Sequence, residues 1–317
     1  MTSNHITKVA IVGAGGNSGI FMTEALLRTG KHTITALVRA GSQNKLPDGV
    51  IPKQIDYSRP ETLVEALQGQ DALVITLSGG TPHEVDLSLV NAAGEAGVPW
   101  ILPNEWGPDS ANKDLIKDIP IFQPKEVIRK AISDLGKSSY ISVSTGFWYE
   151  WSLAIPQAYG IDLSNKTATF FDEGETKIST STWPQVGRTV ASLLSLPIQA
   201  EGACLNSLKN QVVYADSFTV SQRDMLESVF RVTGTTQSDW TISKQSAKER
   251  YEGGMKDMQN GDRIGFVKSL YTRVFYNDGS GNVESKGTLN GLLGLPEEDI
   301  DEATERAIER SKTTTWS

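Results

Sequence analysis

The sequence predicts an α/β fold: a doubly wound parallel sheet in residues 1–150, joined to a smaller, mostly helical lobe in residues 151–317. Three observations predict it. Short apolar, β-branched runs start at intervals of roughly 25 residues through the first half, with helical patterns between them, as right-handed strand–helix–strand units require. A glycine-rich turn stands directly after the first run. Past Gly146 the periodicity becomes irregular, and no low-complexity linker divides the chain.

Residues 8–12 (KVAIV) form a short apolar run bounded by glycine, which reads as a buried parallel strand. Phe21, Ala25 and Leu26 follow at helical spacing, and Gly30 stands where that helix would stop. Residues 33–38 are a second strand and 50–55 a weaker third. Arg59-Pro60-Glu61 opens a helix with proline near its first position. Residues 72–76, 100–103 and 140–144 are further strands, alternating with helices over 86–96 and 124–135. Beyond them, 167–171 and 211–215 read as strands, 184–196 and 221–232 as helices, and 246–276 as mostly helical. Some of these later segments are expected to return to the first sheet. A final helix follows Pro296, with Glu297, Glu298 and Asp299 in its first turn, where the positive dipole end favours acids.

Composition narrows the function. Thirty Lys and Arg against 38 Asp and Glu give a net charge of −8, the wrong sign for a nucleic-acid partner. Cys204 alone supports neither a disulfide framework nor a cysteine-rich zinc site, and three histidines make a histidine metal centre or a Ser-His-Asp triad a poor proposition. No apolar run is long enough for a membrane span, and the first eight residues lack a secretory h-region. A cytoplasmic protein, monomer or homodimer, acting on a small molecule is expected.

The turn Gly13-Ala14-Gly15-Gly16-Asn17-Ser18-Gly19 lies between the first strand and the first helix. A nucleotide-binding turn needs glycine where the backbone bends sharply, where it approaches pyrophosphate and where helix packs on strand. Gly13, Gly16 and Gly19 have that relation, and Asn17 and Ser18 stand at a helix start whose free N–H groups favour a phosphate. A merely tight turn is the plain alternative. At the end of the second strand, where an NAD site places Asp or Glu, there is Arg39, with Lys45 a little further on. A guanidinium there suits a 2′-phosphate, so NADPH/NADP+ is the expected cofactor, although a solvated arginine would look the same. Ser78 and Gly79, past the fourth strand, stand where ligands bind in such sheets. The aromatics Phe147, Trp148 and Trp151 crowd the junction of the lobes, suited to a flat apolar substrate or to core packing alike. Phe266, Tyr271 and Phe275 could close the same cleft from the second lobe. None of the eight tyrosines has Lys four residues later, so the Tyr-x-x-x-Lys acid of ordinary short-chain dehydrogenases is not written here.

The glycine turn, Leu37-Val38-Arg39, Pro103-Asn104-Glu105-Trp106-Gly107 after the fifth strand, and the helix start Lys125-Glu126-Val127-Ile128-Arg129 together resemble the NmrA-like atypical short-chain dehydrogenases. The branch with isoflavone reductases, phenylcoumaran benzylic ether reductases and related fungal reductases is the most similar, covering the first 190 residues well and the rest loosely. The resemblance implies a Rossmann-like NADP-binding domain, with Lys125 as the active-site residue near the nicotinamide. A lysine there can relay a proton or donate a hydrogen bond to a substrate oxygen or nitrogen as hydride arrives. Asn104, Thr145 and Phe147 would meet the cofactor, and Glu105, Trp106, Trp148 and Trp151 the substrate. Glu105 could equally order its loop through backbone amides. Gly146 departs from the family's asparagine and removes a side-chain amide. The implied activity is NADPH-dependent reduction of a small aromatic or conjugated metabolite. A non-catalytic NADP(H)-sensing regulator with a protein partner, or a redox-neutral isomerase or cyclase, would share these motifs.

Overall fold

The computed structural model describes residues 3–313. In chain order the first half contains β1 (Lys8–Val12), α1 (Gly19–Arg28), β2 (Thr33–Arg39), β3 (Ile51–Ile55), α2 (Pro60–Leu67), β4 (Ala72–Ile75), α3 (His83–Ala96), β5 (Trp100–Leu102), α4 (Lys113–Asp118), α5 (Gln123–Asp134) and β6 (Ser139–Ser144). The second contains β7 (Phe147–Trp148), α6 (Tyr149–Leu153), α7 (Pro156–Tyr159), β8 (Ile161–Asp162), β9 (Thr167–Phe171), β10 (Ile178–Ser181), α8 (Trp183–Leu194), β11 (Gln211–Tyr214), β12 (Phe218–Val220), α9 (Gln222–Thr233), β13 (Thr241–Gln245), α10 (Ala247–Gln259), α11 (Arg263–Val274) and α12 (Ile300–Ser311).

The main sheet runs β11-β6-β5-β4-β1-β2-β3 with every neighbouring pair parallel. From β1 the chain moves one way to β2 and β3, then crosses to β4 and continues the other way. The switch between β1 and β4 leaves a crevice at the carboxyl ends of those strands. Side chains alternate between two faces along each strand. Val9 and Ile11 join the core under α1 and α8, whereas Ala10 and Val12 join the core under α2, α3 and α5. Two segments from beyond residue 150 complete these layers: α8 packs along α1, and β11 extends the sheet past β6.

The remaining second half has its own core, around Tyr149, Tyr159, Phe171, Met225 and Phe275. It holds two three-stranded sheets, β12-β10-β7 and β13-β9-β8, of which only β9 is evident in the sequence pattern. β10 shows why. Its sequence Ile-Ser-Thr-Ser is polar yet buried throughout, because each hydroxyl finds a partner: Ser179 the Thr219 hydroxyl and Val283 N–H, the other two backbone carbonyls. Ser181 donates to Thr145 O at 2.6 Å, and Thr180 donates to the Phe147 carbonyl. One end of the chain corrects the sequence reading. The last helix begins at Ile300, so Glu297 and Glu298 precede it; Asp299 is its N-cap, and Asp301 and Glu302 are the acids of its first turn. Glu298 instead accepts from the hydroxyl of Thr182 and pairs with Arg188, which holds it out of the helix.

Candidate active site

The glycine turn closes as its composition demands. Gly13 has φ +85°, and Gly16 N–H donates to its carbonyl at 2.9 Å. A Cβ on Gly13 would overlap the Thr76 carbonyl, and one on Gly19 would overlap the Gly13 carbonyl, so α1 starts directly against β1 and β4. Ser18 is the N-cap of α1, but its hydroxyl bonds Thr76 Oγ1 at 2.9 Å and does not cap the helix. Asn17 is exposed beside it. The α1 amide end therefore faces the crevice without a side-chain acceptor.

Arg39 ends β2 and is exposed, and among the described residues no carboxylate lies within ion-pair distance of it. The following loop folds back so that Asn44 and Lys45 lie against Gly15. Ser78 and Gly79 form an exposed loop past β4, with Ser78 Oγ bonded to Thr81 Oγ1 at 3.0 Å.

Between β4 and β5 the Asn104 side chain makes a double bridge: its Oδ1 accepts from Leu77 N–H and its Nδ2 donates to Leu77 O, both at 3.2 Å. Lys125, in the first turn of α5, donates from Nζ to the Asn104 carbonyl at 2.6 Å. One turn further along α5, Arg129 pairs with Glu105 and also donates to Ser110 Oγ at 3.0 Å. Ser110 donates to the same Glu105 carboxylate. Two parallel clamps thus join α5 to the loop after β5. Glu105 is buried within this pairing, which makes it an organiser of the loop. Trp106 is likewise buried, its indole N–H donating to Ile75 O at 2.7 Å within the sheet core. Both side chains are thus engaged with the protein itself, Glu105 through one carboxylate oxygen and Trp106 through its indole N–H.

Thr145 and Gly146 donate their N–H groups to Gly107 O at 3.0 and 3.1 Å, tying β6 to the same loop. Gly146 has φ +62°, and a Cβ there would overlap the Ser179 carbonyl. The close approach of β10 leaves no room for a side chain at this position. Phe147 is nearly buried and stacks on Tyr271 at 4.0 Å between centroids. Of the three second-lobe aromatics, only Tyr271 reaches Phe147; Phe275 packs against Tyr159 and Phe171, and Phe266 lies beside Ile119 and Pro120.

Trp148 and Trp151 meet across Trp183, at 6.0 and 5.9 Å, and Phe21 of α1 stacks on the same ring at 5.8 Å. Arg310 of α12 lies over Trp151 and Trp183. Glu150 sits beneath, with Oε1 accepting from Trp183 N–H at 3.1 Å and lying 3.7 Å from Arg306. Burial raises its carboxyl to about 7 against a usual 4.5, despite that amide and Arg306. Sequence reading missed Arg129 and Arg310 as site-building cations. The i,i+4 spacing of Lys125 and Arg129 was a usable signal for the first; none existed for the second. Among the described residues, no group of three or more His, Cys, Asp or Glu could hold a metal ion, and no helix is long and apolar enough to cross a membrane.

A doubly wound sheet with a glycine turn at its switch point defines a nucleotide-binding architecture. Residues 6–239 match the NmrA-like family, and the chain belongs to it, as its motifs imply. It is similar along its length to oxidoreductase aprR of Aspergillus flavus, 30% identical over 302 residues covering 93% of this chain and 96% of the relative. Its fold is similar to that of an isoflavone reductase, with TM-score 0.72, 20% identity and coverage of 96% of this chain and 99% of the other. It is also similar to the NADPH complex of the quinone oxidoreductase QOR2 of Escherichia coli, with TM-score 0.70, 21% identity and coverage of 94% and 98%.

Proposed function

We propose that this chain is an NADP(H)-dependent reductase of a small, flat, aromatic or conjugated metabolite, acting at a polarised C=C, C=O or C=N bond or at a benzylic centre. One observation carries the proposal. The glycine turn, an Arg39 guanidinium that pairs with no carboxylate among the described residues, and the Lys125 side chain stand past the carboxyl ends of one sheet's strands. The oxidoreductase name of the Aspergillus flavus relative and the NADPH held by the Escherichia coli neighbour support it.

The residues fit the cofactor. Gly13, Gly16, Asn17, Ser18 and Gly19 leave the α1 amide end open to a pyrophosphate, and Arg39 suits a 2′-phosphate. Ser78 and Gly79 would flank the adenosine side, and Asn104, Thr145 and Phe147 the nicotinamide end. When bound, NADPH supplies hydride from its nicotinamide ring. Lys125 donates Nζ–H to the substrate oxygen or nitrogen that gains charge, and recovers the proton from water. Asn104 O holds the ammonium at that place beforehand, so much of the rate would come from positioning. Trp148 and Trp151 would offer the flat apolar wall. Glu105 and Trp106 support the loop from behind.

The test is NADPH consumption by wild type and Lys125→Ala on a panel of enones, quinones and imines. A loss of about 100-fold in kcat is expected, and unchanged turnover in the variant would remove Lys125 from the chemistry. Tight NADPH binding without consumption would favour the sensor, and product formation without consumption the isomerase.

A further inference from the structure

Asp86 lies in the first turn of α3, the helix packed beside α5, and is only 5% exposed. Its Oδ1 is buried and has no hydrogen-bond partner. A buried carboxylate oxygen is ordinarily met by amides or hydroxyls, and an uncompensated one costs free energy that an apolar side chain would avoid. The cations acting on this carboxyl are few. Lys125 in the first turn of the neighbouring α5 and His83 on its own helix favour its charged form, while Glu105 in the loop after β5 opposes it. Tyr57, past β3, feels it in turn. His83 is exposed and engaged with Glu84. Lys125 is thus the cation on the neighbouring helix, and in this arrangement its Nζ is bonded to the carbonyl of Asn104 and forms no ion pair with Asp86. Burial raises the proton affinity of Asp86 and Lys125 opposes that, consistent with a carboxyl lacking local donors.

We propose that Asp86 is a positioning residue for Lys125. Its unpartnered carboxylate oxygen on α3 would give the ammonium a second acceptor, so that Lys125 can leave the Asn104 carbonyl for a substrate atom and remain in the crevice. This rests on the role given to Lys125 above, and Asp86 acts only through that lysine. It makes no contact with substrate or cofactor in this scheme. Asparagine keeps the shape but removes the charge, whereas glutamate keeps the charge on a longer arm.

The experiment measures kcat, KM and NADPH affinity for Asp86→Asn, Asp86→Glu, Lys125→Met and the double variant Asp86→Asn with Lys125→Met, using an electrophile that wild type reduces. Asp86→Asn is expected to lower kcat about 10-fold with KM and cofactor affinity within about twofold, since positioning acts on the reacting complex. Asp86→Glu recovers part of the loss. On the Lys125→Met background, Asp86→Asn adds nothing further. The melting temperature of Asp86→Asn is expected to match or exceed wild type, because a poorly compensated buried charge is gone. Wild-type kcat in Asp86→Asn, or a full loss that persists without Lys125, overturns the positioning role while leaving Lys125 in place. Wild-type kcat in Lys125→Met overturns the underlying reading of Lys125 instead.

Discussion

Two seams tie distant segments of the chain together, and they are built on different physics. The clamp between α5 and the loop after β5 uses directed charge: Lys125 on the Asn104 carbonyl, and Arg129 on Glu105 and Ser110. The seam joining α6, α8 and α12 uses area, with three indoles tilted against one another, Phe21 stacked on Trp183 and a guanidinium over two of the rings. In that aromatic seam Glu150 Oε2, Trp148 Nε1, Trp183 Nε1 and Arg310 Nε are all buried without a hydrogen-bond partner. At the clamp the cations are answered, and single oxygens of Glu105 and Asp86 remain. The difference teaches that the clamp holds geometry, whereas the seam tolerates polar mismatch because its cohesion is not directional.

The largest expected effect breaks the clamp. Arg129→Met leaves Glu105 as an uncompensated buried charge and should cost about 3–5 kcal/mol, read by chemical denaturation. Adding Glu105→Gln should recover most of that loss; a silent Arg129→Met would mean the clamp is not a charge pair at all. The aromatic seam should respond in the opposite sense. Glu150 holds its proton more tightly folded than unfolded, so its stabilising effect is complete below about 4.5 and lost by about pH 7. Glu150→Gln should therefore gain stability relative to wild type as pH rises across that window, on the order of 3 kcal/mol at most. A constant difference between pH 4 and 8 would count against the buried acid.

Arg39→Ser tests the cofactor end of the same edge. It should weaken NADPH binding by roughly 10- to 100-fold, the loss of a charge-assisted pair, with NADH binding little changed. Equal weakening of both dinucleotides in calorimetry would show that Arg39 does not meet the 2′-phosphate. The smallest effect is Asp299→Ala, which removes the α12 cap to Asp301 N–H at 2.7 Å and should cost about 1 kcal/mol in thermal unfolding. If Arg310 depends on that helix, the variant should also loosen the Trp151 stack, visible as altered tryptophan fluorescence.

Legibility differed along the chain for physical reasons. The inner strands β1, β2, β4 and β5 are buried on both faces, so each reads as a near-continuous apolar run. The edge strand β3 is largely exposed and reads weakly, whereas the crossover helices between the strands read by period. Gly13, Arg39 and Lys125 stand at the ends of such elements, where the order of elements already says what lies next. β10 and β7 gave no such signal, because hydroxyl pairing and a two-residue length hide them. Trp106 and Glu105 sit in a recognisable motif, but motif spacing does not tell whether a side chain points out of a loop or into the core beneath it.

From sequence alone came the parallel sheet, the turn at its switch point, the missing acid after β2 and the lysine at the start of α5. These are local: each depends on residues adjacent in the chain and on the direction a strand or helix must run. Only tertiary structure decided which charges meet across 20 or more residues, that Gly146 makes way for the Ser179 carbonyl, and that Arg310 lies on Trp151 and Trp183. Such pairings depend on the packing of distant segments, where side-chain direction and burial are set by neighbours that no local pattern names.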